Sequence, residues 1–219
     1  MTWLPALPTL LAACLALGTP ALLRALPAPI GEPGMDPYRR LATPATVIVV
    51  FVAVALAGTL VVLIIPTVAP VWLGLAGPGV LAAVIDARTG YLPKRLAQAA
   101  WLLTAAGLLA ASGWLGVDAL VRAALGALAA GTLFWVFWRL GGGFGFGDVR
   151  LAPVIGAASA VVGWPLLAGA LIVGGLLGVA WGVAWRASGR GRAFPYGPAL
   201  VAGPFLALAT SALVPAGSG

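Results

Sequence analysis

Histidine is absent from the 219 residues, and cysteine occurs once, as Cys14 within an apolar segment. That excludes zinc sites built from His and Cys, Cys–His nucleophiles and Ser–His–Asp triads. It also excludes a disulfide within the chain and any paired-cysteine ribbon. Charge is scarce too: 8% of the residues are Asp, Glu, Lys or Arg, against about 25% in a soluble domain. Such a chain cannot coat its surface with polar groups, so the bilayer is its expected solvent. The net charge of +7 does not read as nucleic-acid binding. The cations fall in separate short loops and form no continuous basic face. Only five residues are acidic. The catalytic chemistries left are a carboxylate pair, a Ser–Lys dyad built on the sole lysine, Lys94, or none.

What is present is apolar: 62% of the residues are hydrophobic. A spanning helix needs about 20 mostly apolar residues. On that measure the chain reads as an all-α polytopic membrane protein of about eight transmembrane helices. The spans expected are 1–23, 45–65, 71–85 (starting near 68), 96–112, 117–138, 149–163, 166–185 and 198–213. The first has no basic n-region and reads as a retained span rather than a cleaved signal. Its prolines, Pro5, Pro8 and Pro20, argue against one straight helix. Residues 24–43, with Pro27, Pro29, Pro33 and Pro37, read as a loop. Residues 1–70 then form an N-terminal membrane unit and 71–219 the core.

Placing alternate loops on one side gathers eleven of the twelve basic residues there, which makes that side cytoplasmic by the positive-inside rule. Only Arg122 falls near the other side. It stands four residues after Asp118, where the two can pair along one helix face. Trp135, Trp138, Trp181 and Trp185 fall at the cytoplasmic span ends, and Trp72, Trp114 and Trp164 at the outer ends. Both sets read as interfacial belts. Gly174, Gly178 and Gly182 repeat every fourth residue, a stripe that admits a neighbouring helix.

Against this background two aspartates stand out. Asp148 follows the glycine-rich run Gly143-Phe144-Gly145-Phe146-Gly147, at the position of a helix N-cap before the apolar residues from Val149. Asp86 ends an apolar run and opens the polar stretch 86–95, read as a loop. One helical hairpin, turning at 113–116, separates the two and returns the chain to the same side. Both carboxylates therefore belong at the cytoplasmic edge. The sixth span rises only about 22 Å against about 30 Å of hydrocarbon, so its Asp148 end is expected below the membrane surface. Ionisable groups at membrane depth are costly and tend to be functional. A simple capping role for Asp148 and a solvated loop role for Asp86 are the plain structural alternative.

Val84-Ile85-Asp86-Ala87-Arg88-Thr89-Gly90-Tyr91-Leu92-Pro93 resembles the first aspartate motif of the type IV prepilin peptidases. Gly145-Phe146-Gly147-Asp148-Val149-Arg150-Leu151 resembles their GxGD motif. Pro195-Tyr196-Gly197-Pro198 is similar to their late Pro-aromatic-Gly-Pro element. The resemblance runs from about residue 71 onward. Lys94 stands where the family usually has Asn or Asp, Arg150 where it has Lys, and Phe144 where Met is common. The resemblance implies an intramembrane aspartic endopeptidase that cuts the basic leader from prepilins or pseudopilins at the cytoplasmic face of the cell membrane. It implies Asp86 and Asp148 as the catalytic pair, with Gly145, Gly147, Arg150, Pro93, Gly197 and Pro198 binding substrate or shaping the site. No metal, nucleotide or other cofactor is implied, and the partners are the prepilin and membrane lipid. Larger members carry a cysteine-pair ribbon and N-methylate the new N-terminus; this chain resembles a short form without it.

Other classes remain. Presenilin-like proteases also use GxGD, and Pro198-Ala199-Leu200 resembles their PAL tripeptide; the loop-like setting expected for Asp86 argues against them. A Ser–Lys protease would need Lys94, which stands beside Arg95 in a polar stretch where it reads as a topology signal. A proton-coupled transporter would want polar residues at mid-span, and these spans have almost none. A non-catalytic scaffold would not need the two aspartates.

Overall fold

The structure is a computed structural model that describes residues 6–27, 38–141, 145–189 and 194–213. Gly143 and Phe144 of the glycine run, Pro5 and most of the proline-rich loop lie outside the described residues. Among the described residues there is no strand. Every backbone polar group in a bilayer must be satisfied within its own segment, and helices achieve this. The elements are α1 (Ala6–Ala25), α2 (Pro44–Ile64), α3 (Ala69–Gly74), α4 (Val80–Thr89), α5 (Lys94–Arg139), α6 (Phe146–Val162), α7 (Trp164–Ala187) and α8 (Gly197–Leu213).

The expected spans hold, with shifted ends. Helix α1 runs unbroken with Pro20 inside it. Thr43 caps α2, its hydroxyl accepting the Thr46 N–H at 3.3 Å, and Pro44 follows in the first turn. Proline there forfeits only an N–H that the helix could not use. Helices α3 and α4 form one rod across a wide π-turn, Leu75–Gly79, which contains Pro78. Proline has no N–H to give the turn before it and crowds the carbonyl there, so the ladder widens locally.

Helix α5 is two limbs, 94–115 and 117–139. A straight helix would hold Trp101 and Trp135 about 50 Å apart, yet both line one cavity together with Arg150 of α6. The reversal is concentrated at Gly116, whose φ of 73° and ψ of 161° break the helix. The turn expected over 113–116 is thus a single glycine. Left-handed φ carries no Cβ penalty there. At that end the Trp114 indole donates to the Thr67 carbonyl at 2.9 Å. At the other end Arg95 donates to the Ala25 carbonyl at 3.3 Å. Successive turns therefore alternate between the two ends of the bundle.

Among the described residues, five helical segments are long and apolar enough to cross a membrane, α5 among them, and α8 is a shorter apolar helix. In the most apolar stretch of the α3–α4 rod 78% is buried within the protein, against 28% in α2 and in α7. It lies at the centre beside α6 and α8, with α1 and α2 packed along one side. Large apolar side chains face outward along the rest, Leu56, Leu109, Leu128 and Val179 among them. This is the inside-out exposure of a chain solvated by lipid, and the protein is a multi-pass membrane protein.

Lipid gives no hydrophobic reward for helix association, so close packing has to hold the bundle. A methyl on Gly126 of α5 would strike Ala160 and the Gly156 carbonyl of α6, and one on Gly203 of α8 would strike the Ala170 carbonyl of α7. Two sequence expectations change here. Trp72 is fully buried, its ring edge-on to Phe205 at 5.6 Å, and belongs to the core rather than to an interfacial belt. Arg122 makes no ion pair with Asp118 among the described residues; its guanidinium donates to the Val161 carbonyl at 3.5 Å. Trp114, Trp135, Trp164 and Trp181 are exposed, as interfacial anchors should be.

Candidate active site

Asp86 is not in a loop. It lies in the last turn of α4, which continues to Thr89 and closes at Gly90 with φ of 70°. The polar residues from Asp86 had read as the end of the span. The helix instead carries them because Thr89 bonds back to the Ile85 carbonyl at 2.9 Å and Gly90 supplies the left-handed stop. A first aspartate inside a helix does not separate this chain from presenilin-like proteases, as a loop-like one would have.

Asp148 is likewise one turn deeper than expected. Gly145 is the cap of α6, and Asp148 is its third residue. The carboxylate reaches back to accept the Gly145 N–H at 3.1 Å, while the Asp148 N–H donates to the Gly145 carbonyl at 3.1 Å. This is the second half of a capping box. It works because a three-residue reach suits an acid at that position.

Both carboxylates are buried, with 5% and 6% of their surface exposed. Neither forms an ion pair among the described residues, and Asp148 lies within electrostatic reach of Asp86. An unpaired buried carboxylate is expensive, and a second one within electrostatic reach makes it more so. The fold spends that energy at the end of the bundle where α4, α6 and α8 converge.

Two contacts bring the segments together, and two prolines start the helices beside them. Asp86 Oδ2 accepts the Gly197 N–H at 2.9 Å, across 111 residues of sequence. A methyl at Gly197 would fall 2.7 Å from that oxygen, so the α8 terminus needs glycine there. Gly147 lies against Leu92, where a methyl would be 2.6 Å from the leucine Cβ, and this seats the first aspartate segment on the second. Pro93 is buried and caps α5, with φ of −65°. Pro198 follows Gly197 in the first turn of α8.

Arg150 is the site candidate that does not join the carboxylates. Its guanidinium lies 4.6 Å over the Phe146 ring, and Phe146 packs on Trp138 at 4.9 Å. The Arg150 carbonyl accepts the Trp101 indole N–H. Arg150 and Phe146 head an apolar cavity of about 770 Å³ between α6 and the two limbs of α5.

Tyr196 of the Pro-Tyr-Gly-Pro element is a site residue that the sequence pattern did not mark. Its ring is buried between Phe134 and Phe194, with centroids at 6.2 and 6.1 Å. Burial, then the charge of Asp148, push its phenol up to about 12. Of the stripe Gly174, Gly178 and Gly182, read as helix packing, only Gly174 lies against α8. Gly178 lies against the Tyr196 ring and Gly182 against the Phe194 ring. A stripe facing two aromatics next to a Gly-Pro helix start was the available signal.

The model of the type IV leader peptidase family matches residues 73–183, which include both aspartates but not Tyr196 to Pro198. Curated relatives named prepilin leader peptidase/N-methyltransferase are similar over part of the chain. The one from Xanthomonas campestris pv. campestris is 34% identical over 128 residues, covering 57% of this chain and 42% of the relative. Those from Pseudomonas putida and Pseudomonas aeruginosa are 33% and 34% identical over 96 residues, each covering 42% of this chain and 32% of the relative. The chain thus spans between about a third and two-fifths of the length of these relatives. No solved structure matches it. Because the family match extends over just over half of the 219 residues and takes in both aspartate motifs, this chain belongs to the type IV leader peptidase family.

Proposed function

We propose that the chain is an aspartic endopeptidase of the cell membrane, with Asp86 and Asp148 as its catalytic pair. It removes the basic leader from prepilins or pseudopilins at the cytoplasmic membrane face. The observation that carries the reading is the placement of two buried carboxylates, distant in sequence, within reach of one another and away from any ion pair among the described residues. Family membership and the printed names of the relatives support the reaction and the substrate class. The unit 71–219 carries the site, and 1–70 flanks it.

One ionised carboxylate takes a proton from water as the water oxygen attacks the scissile carbonyl carbon. Its protonated partner gives a proton to the carbonyl oxygen. On collapse the former base gives its proton to the leaving nitrogen as the C–N bond breaks, a hydroxyl of the tetrahedral diol returns its proton to the other carboxylate, and the pair again shares one. Each such transfer contributes about 10²- to 10⁴-fold. The backbone N–H groups of Gly145 and Gly197 hold one oxygen of each carboxylate and leave the other for water or substrate. Gly147 and Pro93 set the approach of the two segments, Pro198 starts α8 behind Gly197, and Arg150 shapes the neighbouring wall through Phe146. Helix α6, 17 residues long, rises about 25 Å, less than the hydrocarbon thickness of about 30 Å. Its Asp148 end then lies in a recess where water meets a bond near the membrane face.

The test is cleavage of a prepilin by the purified protein in lipid vesicles, with the product identified by mass. The wild type should cut once, at the leader boundary. Asp86→Asn and Asp148→Asn should each reduce cleavage to background while membrane levels stay unchanged. Full activity in either variant would overturn the aspartic mechanism.

A further inference from the structure

The Gly197 N–H that meets Asp86 does not hold its position alone. It belongs to the residue after Tyr196, and Tyr196 is wedged from three sides. Its ring lies on Gly178 of α7, where even a methyl would collide with the ring carbons. Phe134, on the limb of α5 that leads to the Asp148 segment, packs 6.2 Å from it, and Phe194 packs 6.1 Å away, edge-on at 80°. The hydroxyl reaches the Gly174 carbonyl at 3.5 Å, the long limit of a hydrogen bond, while the ring is gripped by these three neighbours. Tyr196 therefore stands between α7, the approach to Asp148 and the Gly197 N–H that donates to Asp86.

We propose that Tyr196 is a positioning residue. Seated on Gly178, its ring sets where the Gly197 N–H meets Asp86, and so sets the geometry of the carboxylate pair. The proposal rests on the reading of Asp86 as catalytic. Gly178 acts only through this ring. Gly175, one residue after Gly174 on the same helix, has nothing within 4 Å of an added methyl and takes no part.

Four variants test this: Tyr196→Phe, Tyr196→Ala, Gly178→Ala and Gly175→Ala. Tyr196→Ala and Gly178→Ala should lower kcat by about 10- to 100-fold with KM little changed, the effect of a displacement near 1 Å at a reacting group. Tyr196→Phe should restore kcat, and Gly175→Ala should match the wild type. In the double variant the alanine at 196 leaves room for the methyl at 178, so the two losses should not add. A second readout needs no substrate. The infrared difference between each variant and its Asp86→Asn counterpart isolates the Asp86 carboxyl band. That band should shift in Tyr196→Ala and Gly178→Ala but not in Tyr196→Phe. It reports on positioning even if the protein cuts no prepilin, so failure of the peptidase reading and failure of this proposal are separable. An unmoved band in Gly178→Ala, or fully additive losses, overturns the proposal. Gly178→Ala keeps the ring, so it still decides the matter if Tyr196→Ala does not reach the membrane.

Discussion

Asp86 and Asp148 each have one carboxylate oxygen tied to a backbone N–H, at 2.9 and 3.1 Å. Neither gains a cation among the described residues, so the surroundings favour a pair that shares one proton. Activity should follow a bell in pH. At low pH both groups are protonated and no base remains for water. At high pH both are ionised and no acid remains for the carbonyl. The two limbs belong to the pair and not to either residue. A pH–kcat/KM profile checks this, and a profile with a single limb across the stable range would contradict it. Tyr196, pushed up to about 12, stays neutral throughout and contributes neither limb. The aspartates were legible in the sequence because acids are rare in it. Their partners were not, because backbone N–H groups leave no mark on composition.

At the scale of elements, glycine at the helix crossings holds the site helix in place. Helix α6 carries Asp148, and it crosses the second limb of α5 where Gly126 and Gly156 face each other and leave no room for a Cβ. Gly126→Val should force the two helices apart, at a cost of about 1–3 kcal/mol for an overpacked contact. A lower unfolding midpoint in detergent, together with reduced cleavage, is the expected result. Gly113→Ala, where an added methyl has nothing within 4 Å, should leave both unchanged. If both variants are equally stable, the crossing is not what holds α6. The existence of these helices was legible from hydropathy alone. Their ends were less so. Asp86 read as a loop because its neighbours are polar, yet Thr89 and Gly90 carry α4 past it.

For the whole molecule, the turns alternate between two ends. Arg95 is tied to Ala25 at one end and Trp114 to Thr67 at the other. On the proposed orientation, with the basic end toward the cytoplasm, Ser188 should face the cytoplasm and Ser112 the outside. Single cysteines at these exposed positions, in a Cys14→Ser background, should react differently with an impermeant thiol reagent. Ser112→Cys should label in intact cells, and Ser188→Cys only after permeabilisation. Labelling of both from the same side would overturn the alternation, and the reverse pattern would overturn the orientation.

The amino-acid sequence by itself determined that this chain lives in lipid, where its apolar helices run, which loops are basic and which two acids lie beside them. Hydropathy and charge are local properties, and each spanning helix satisfies its own backbone without help from the others. Only the tertiary structure decided that Asp86 sits inside a helix, that Trp72 is core, that Arg150 turns to Phe146 and that Gly197 reaches Asp86. Those outcomes depend on which helix faces press together. In lipid that is settled by contacts about one methyl wide between residues far apart in the chain, and no periodicity along the sequence records them.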